Sequence, residues 1–379
     1  MLALHAADGI DCRKGGFVVT LAILIEPLDL LFCRDGRPIV AGEGAAAGTG
    51  LPNPQVLTGA IRSALLRARG QLPDDGRPPS KEAVEEVRKV KVRGPLLADL
   101  RTQQPFIPLP ADVVGDKPKH GKPGAPRARL SPLATELPGW QPYPDAPRAR
   151  PLWPPPAQAD TTTPKPLRHR IGELAAQTGF LTWKGFQQWA AGKLPDADEI
   201  RLANALWTEE TRTNVALTAD TAIADEGLLF CTRYLRLQSG IGFYAEIDGP
   251  AEDLPRTLQL GGDRRLARVM RLQEPARWPQ RPQRGAKCVA LALTPTILPE
   301  GRCPAAWREH CEGLAIPGAD PLSGWDLIAG NGAGAPRPTR WALRPGSVWY
   351  LAQSSDLTAI GNETDAGFGW LAFGNPLQP

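Results

Sequence analysis

The spacing of apolar and polar positions separates a few strongly patterned segments from long stretches that have no period. The most apolar run is FVVTLAILI, Phe17 to Ile25, closed by Glu26 and Asp29. It is far shorter than the roughly 20 residues that span a bilayer, so it predicts a buried strand. LLFCRDGRPI follows, with Asp35-Gly36 between apolar flanks, a turn signal that carries Arg34 and Arg37. LPNPQVLTG then opens a helix. Asn53 is its cap, and Pro54 takes the first helical position, where the missing N–H would be unpaired anyway. Val56, Leu57, Ala60, Ile61, Ala64 and Leu65 recur at helical spacing as the core face. Thr58, Arg62, Ser63, Arg67 and Arg69 fall elsewhere on the wheel, and Gly70 is the expected stop.

Further along, Thr182 caps a short helix in TWKGFQQWAAG, with Phe186 and Trp189 on one side and an end near Gly192. From Gly227, GLLFCTRYLRL and IGFYAEIDG read as paired strands that begin a second sheet. TLQLGGDRRLARV and CVALALTPTIL come next, and RWALRPGSVWYLA and GFGWLAFGNP close the chain as strand-like pieces. No fixed-period repeat is visible.

A strand, a turn and a capped helix in succession predict the α+β class, opening like a ferredoxin-like or RRM-like unit. A length of 379 residues suits two domains of ordinary size. The expected division is a tail at 1–17, a first ferredoxin-like module at 18–226 and a second at 227–379 with a Gly-rich end. The first module holds a small helical segment and a Pro-rich insertion at about 103–170. Between Pro105 and Pro166 lie 17 of the 41 prolines, with the basic runs KPKHGKPGAPRAR and RAR and no apolar period, so this span is expected to be extended or disordered.

Composition adds little to that picture. Hydrophobic residues at 42% and charged residues at 22% are globular values, and a formal charge of +4 is too small to argue for nucleic acid unless the charges cluster. Six scattered cysteines, Cys12, Cys33, Cys231, Cys288, Cys303 and Cys311, follow no secretory signal. Reduced thiols and a cytoplasmic location are expected, with no membrane partner.

The candidate chemistry is sparse. Metal-independent RNA cleavage commonly needs a His, or a Lys and Tyr set, beside the phosphate. His5 lies in the tail, His120 and His169 in or beside the Pro-rich span, and His310 in a late Gly-rich region, so surface or packing roles are the ordinary reading. Cys303, His310 and Cys311 lack the paired short spacing and fourth ligand of a zinc site. Asp220, Asp225 and Glu226 read as solvated acids. LGGDRR, Leu260 to Arg265, begins like the Gly-Gly-Asp of cyclases and polymerases but carries arginines where a second acid would stand, which suits phosphate, not a divalent metal. Gly261 and Gly262 can bring backbone N–H groups to an anion, with Arg264, Arg265, Arg268 and Arg271 close behind. A hairpin turn with solvated arginines fits these residues equally well. In GFGWLAFGN, Gly367 and Gly369 permit close backbone approach beside rings that read as core.

These pieces form an ordered set. EPLDLLFCRDGRPI, LPNPQVLTGAIRSALL, TRTNVALTADTAIADEGLLF, LQLGGDRR, ALRPGSVWYL and GFGWLAFGNP together resemble the third Cmr subunit family of type III-B CRISPR systems, within the RAMP superfamily and its Cas-five-like group. The resemblance runs from about Val18 to Asn375, and the span from about Lys117 to Arg150 has no counterpart. It implies a non-catalytic subunit that grips the repeat-derived 5′ handle of CRISPR RNA, and the residues themselves lead to no expected cofactor or metal. It also implies docking to the large cyclase/polymerase-like Cmr subunit and to the backbone RAMP subunit. Carried over by position, the residues expected at RNA are Arg34, Arg37, Arg62, Arg212, Gly261, Gly262, Arg264, Arg265, Arg344 with its turn through Gly346, Gly367 and Gly369. Asn214 stands where the family pattern usually has a glycine. The rival expectations are a RAMP endoribonuclease acting on precursor RNA, a purely structural bridging protein, and the equivalent subunit of another type III complex.

Overall fold

In a computed structural model of the chain, the described residues are 19, 21–33, 50–73, 78–117, 119, 121–133, 139–154, 175–176, 178–217, 224–299, 301–326 and 335–377. The principal strands, in chain order, are β1 (Leu21–Pro27), β2 (Lys91–Asp99), β3 (Trp207–Leu217), β4 (Ala224–Leu237), β5 (Ile241–Asp248), β6 (Thr257–Gln259) and β7 (Leu266–Arg271). They continue with β8 (Cys288–Ala292), β9 (Cys311–Ala315), β10 (Ala319–Asp326), β11 (Ala335–Leu343), β12 (Val348–Leu351) and β13 (Leu371–Gly374). The helices used below are α1 (Pro54–Ala68), α2 (Lys81–Arg88) and α3 (Trp183–Ala190).

The expected caps are in place. Asn53 accepts the Val56 N–H at 3.0 Å, and Thr182 accepts the Gly185 N–H at 3.2 Å. Gly70, with φ of 65°, donates its N–H to Arg67 just past the end of α1. On α1, Leu57, Ile61, Ala64 and Leu65 are buried as the periodicity predicts. Thr58 is a correction: it is buried as well, because its hydroxyl donates to the Ala366 carbonyl at 2.8 Å.

The first sheet has the order β6-β7-β1-β5-β2, with Gln104–Pro105 at the β2 edge, and its pairings are antiparallel. The second has the order β9-β12-β8-β13 and is also antiparallel. Counted along the chain, β1, β2, β5 and β7 lie in the spatial order 4-1-3-2, and so do β8, β9, β12 and β13. The expectation that a second sheet begins at Gly227 is corrected by this topology. β5 lies between β1 and β2, and β7 flanks β1, so the first sheet takes strands from both sides of residue 226 and the change of sheet falls at 272–287. GLLFCTRYLRL does not pair with IGFYAEIDG either. It forms the long hairpin β3–β4, with Trp207 opposite Leu237, because IGFYAEIDG is occupied on both edges by β1 and β2.

β1 is apolar on both faces because both are covered. Ile23 and Ile25 pack under α1 and α2 with Leu57, Ile61 and Val87. Ala22 and Leu24 face the opposite way, into a core shared with Phe186 and Trp189 of α3 and with Val289, Val348, Tyr350 and Trp370 of the second sheet region. The outer face of the second sheet, with Ala290 and Trp349, is covered by Ala146, Ala149, Cys303 and Trp307.

The Pro-rich span is built into this core where it is described, contrary to the expectation of an extended or disordered insertion. Val113–Gly115 pairs with Pro126–Arg129, and Ser131–Pro132 with Leu152–Trp153; strands of two to four residues are too short to write a period in the sequence. Arg129 and Asp112 are both fully buried, with Arg129 Nε 2.7 Å from Asp112 Oδ2. The Arg129 guanidinium lies 4.5 Å from the centre of the Trp189 ring and donates to the Trp189 carbonyl at 2.9 Å. Asp112 also accepts from Trp189 Nε1 at 3.0 Å and from the Tyr350 hydroxyl at 2.8 Å. Burial, and then the charge of Asp112, push the Tyr350 hydroxyl well above its ordinary pKa, so it stays a protonated donor. The turn expected at Asp35-Gly36 and the tail at 1–17 lie outside the described residues. Among the described residues, no helix is long and apolar enough to cross a membrane.

Asp112→Ala leaves a buried guanidinium without its carboxylate, so it is expected to destabilise the chain by about 3–5 kcal/mol in denaturant unfolding. The double variant Asp112→Leu/Arg129→Met should lose clearly less than Asp112→Ala; an equal or larger loss would contradict this account of the pair.

Candidate nucleic-acid interface

The LGGDRR segment is the turn between β6 and β7. Leu260 N–H donates to the Arg265 carbonyl at 2.9 Å, and Asp263 and Arg264 both adopt the left-handed region, at φ of 55° and 51°. Two successive residues there give the primed hairpin turn that matches strand twist, and neither is glycine. The turn sits against the chain that leaves β1. Gly262 N–H donates to the Phe32 carbonyl at 2.7 Å, and a Cβ on Gly261 would lie 2.6 Å from that same oxygen. Gly261 is therefore needed for approach to the Phe32 carbonyl, and Gly262 for approach to the Phe32 ring, 2.7 Å from where its Cβ would lie.

Side chains hold the turn from below. The Tyr234 hydroxyl, on β4, donates to Asp263 Oδ2 at 2.9 Å, and the Tyr234 ring packs on Phe32 with centroids 5.1 Å apart. Arg265 pairs with Asp29 and lies 5.4 Å from the centre of the Tyr234 ring; Arg212 on β3 lies at the same distance and pairs with Glu210 at 2.9 Å. The Asp29 carboxyl is held below its usual pKa, first by the Leu30 N–H and then by Arg265, so the clamp is ionised at neutral pH. Arg264 is exposed, and among the described residues no carboxylate lies within ion-pair distance of it. Arg34 directly follows Cys33, one residue beyond Phe32, but Arg34 and Arg37 lie outside the described residues.

A second group forms around the end of the chain. Gly367 has φ of 96°, and a Cβ there would lie 2.9 Å from the Val92 carbonyl and 2.8 Å from that of Gly94, on β2. Gly369 has φ of 65° and is closer still to the Ile360 carbonyl. Thr294 donates from its hydroxyl to Gly367 at 2.7 Å and accepts the Trp370 N–H at 2.9 Å. Arg344 donates to Asp320 through Nε and Nη2, at 2.9 and 2.7 Å, and Gly346 approaches the Leu109 carbonyl.

The CRISPR-associated protein family Cas_Cmr3 matches residues 23–376 of the chain. The chain belongs to that family. It is thereby a subunit of a type III CRISPR complex, as the motif set implied. No curated protein matches it. Among solved structures, a type III-B Cmr-beta complex bound to cognate target RNA and AMPPnP contains a chain 15% identical, with 87% of this chain and 86% of that one covered at a TM-score of 0.49. The same complex bound to cognate target RNA gives 16% identity, 87% and 86% coverage and a TM-score of 0.47. A Csm3-Csm4 subcomplex of the type III-A interference complex gives 11% identity, 95% and 100% coverage and a TM-score of 0.43.

Within this Cas_Cmr3 member, the structure brings together Arg212, Gly261, Gly262, Arg264 and Arg265 of the residues expected at RNA. Arg62 is elsewhere, donating to the Val90 carbonyl at 2.9 Å and the Arg88 carbonyl at 3.3 Å, where it closes the end of α2. Arg344, Gly346, Gly367 and Gly369 belong to the second group, at the junction of the two sheets. Tyr234, Asp29 and Phe32 were missed. Their signal was weak, since an aromatic in a strand and an acid after one are ordinary, and their partners are 29 and 236 residues away in the Tyr234–Asp263 and Asp29–Arg265 pairs. Cys303 and Cys311 are both buried; among the described residues, no group of three or more His, Cys, Asp or Glu could hold a metal.

Gly369→Ala is expected to destabilise the chain by several kcal/mol in thermal unfolding, since its Cβ would meet backbone at a left-handed position. Gly59→Ala, exposed on α1 with nothing within 4 Å, should stabilise it by roughly 0.5–1 kcal/mol. Equal effects at the two sites would refute the close-approach role of Gly369.

Proposed function

We propose that this Cas_Cmr3 chain is a non-catalytic subunit that binds the 5′ repeat-derived handle of the guide RNA and docks to the large cyclase-bearing subunit and the backbone RAMP subunit. The observation that carries the reading is the clamped turn that presents Arg264. Its backbone is fixed by Phe32 and Tyr234, its neighbour Arg265 is neutralised by Asp29, and Arg264 alone of the pair points its charge at solvent. A guanidinium carried on a preorganised backbone suits a phosphate, which it can bind through two nitrogens. Family membership supports a role beside RNA and other subunits.

The shared 4-1-3-2 strand order supports two ferredoxin-like modules, with the first ending at β7 and the second starting at β8. A capped helix crosses from β1 toward β2 in the first, whereas β5 and β7 are joined through the short strand β6 in place of a second helix. The guide would be held by its unpaired handle nucleotides, and target sequence would be read by base pairing, not by the protein.

The reconstituted complex tests this. Arg264→Ala is expected to weaken handle-RNA binding and to lower the salt slope by about 0.7 for one lost single-strand phosphate contact, with an unchanged melting temperature. Arg265→Ala should lower the melting temperature too, because it breaks the clamp. Unchanged handle affinity and slope in Arg264→Ala would remove this turn from the RNA site, and cleavage of precursor RNA by the purified chain would replace the reading with a nuclease.

A further inference from the structure

The Pro-rich span also builds a second concave site, remote in sequence from the Gly-Gly turn. A cavity of about 170 Å³ is lined by Trp140, Tyr143, Leu130, Leu152, Leu314 and Arg150. Trp140 and Tyr143 meet edge to face, with centroids 6.3 Å apart, and Trp140 is 40% exposed. The Arg302 guanidinium stands 4.5 Å over the Tyr143 ring, and Lys287 holds both oxygens of Glu312 at 2.9 Å on the strand beside the cavity. The walls are fixed before any ligand arrives: Trp140 Nε1 donates to the Ala149 carbonyl at 3.2 Å, Ala149 N–H to Ala146, and Ala146 and Ala149 are buried against the second sheet.

We infer that this cavity binds one unpaired nucleobase of single-stranded RNA, stacked on Trp140 or Tyr143 with its phosphate beside Arg302 and Arg150. The inference rests on the reading of the chain as an RNA-binding subunit and adds a site to it. Three observations favour a base over a peptide segment. The volume suits one planar ring system. Main-chain groups beside the rings are already paired, since Arg150 N–H donates to Glu312, Leu133 N–H to Pro151, and the Ala149 carbonyl accepts from Trp140, so these groups are not open to a peptide strand. Guanidinium and aromatic groups stand together, as stacking on a phosphate-linked base requires. Stacking on an aromatic face discriminates little between bases, so the site takes any base.

The test uses the full chain and a short fluorescent oligo(U), which lacks the handle sequence. Trp140→Ala is expected to weaken oligo(U) binding about tenfold, the usual size of one lost stack, with the salt slope unchanged, and Trp140→Phe should restore most of the affinity. Photocrosslinking of 4-thiouridine RNA to the unmutated chain should label Trp140 or Tyr143, which reads the site even where Trp140→Ala unfolds. Unchanged oligo(U) affinity in a folded Trp140→Ala, or crosslinks confined to other residues, would overturn the inference. So would release of a neighbouring subunit from the complex with oligo(U) affinity intact, which makes this face a protein contact. Loss of handle binding in Arg264→Ala bears on the turn alone and leaves this site standing.

Discussion

The buried pair of Asp112 and Arg129 is the constraint on which the arrangement of the molecule depends. Two charges in a core are costly unless they are paired and hydrogen-bonded, and here one carboxylate serves Arg129, the Trp189 indole and the Tyr350 hydroxyl together. Those partners come from the Pro-rich span, α3 and the second sheet. Leu130 N–H closes on the Asp112 carbonyl at 2.7 Å, so the backbone on either side of the pair is held as well. A long excursion between β2 and β5, whose prolines weaken regular strand pairing, is thereby locked to the second sheet by side-chain electrostatics.

The same economy governs the candidate interface. Arg264 and Arg265 are chemically identical neighbours, yet Asp29 and Tyr234 claim one and leave the other at the surface. The cost of the left-handed turn falls on residues that are not glycine, which the Tyr234 to Asp263 hydrogen bond offsets. The glycines of the motif serve close approach to Phe32, and the terminal glycines serve close approach to β2 and Ile360. Glycine spacing that looks like a ligand cradle in the sequence also serves close packing within the protein, against its own carbonyls at Gly261, Gly367 and Gly369 and against the Phe32 ring at Gly262.

What the sequence by itself determined is what lies within a turn or two along the chain. The caps at Asn53 and Thr182, the buried stripe of α1, the stop at Gly70 and β1 as a covered strand depend on neighbours only a few residues apart, whereas LGGDRR read equally well as an anion cradle or a hairpin turn until the structure showed the turn. The ordered motif set was legible too, and with it the family. Tertiary structure alone decided the rest. β5 joins the first sheet because β1 and β2 offer it two free edges from more than a hundred residues away. Thr58 is buried with its hydroxyl donating to the Ala366 carbonyl, Arg62 turns inward to the end of α2, and Arg265 differs from Arg264 because Asp29 lies beside only one of them. Periodicity and capping are local free energies written in adjacent residues, whereas strand pairing and the satisfaction of buried charge are choices among distant partners that no local pattern encodes.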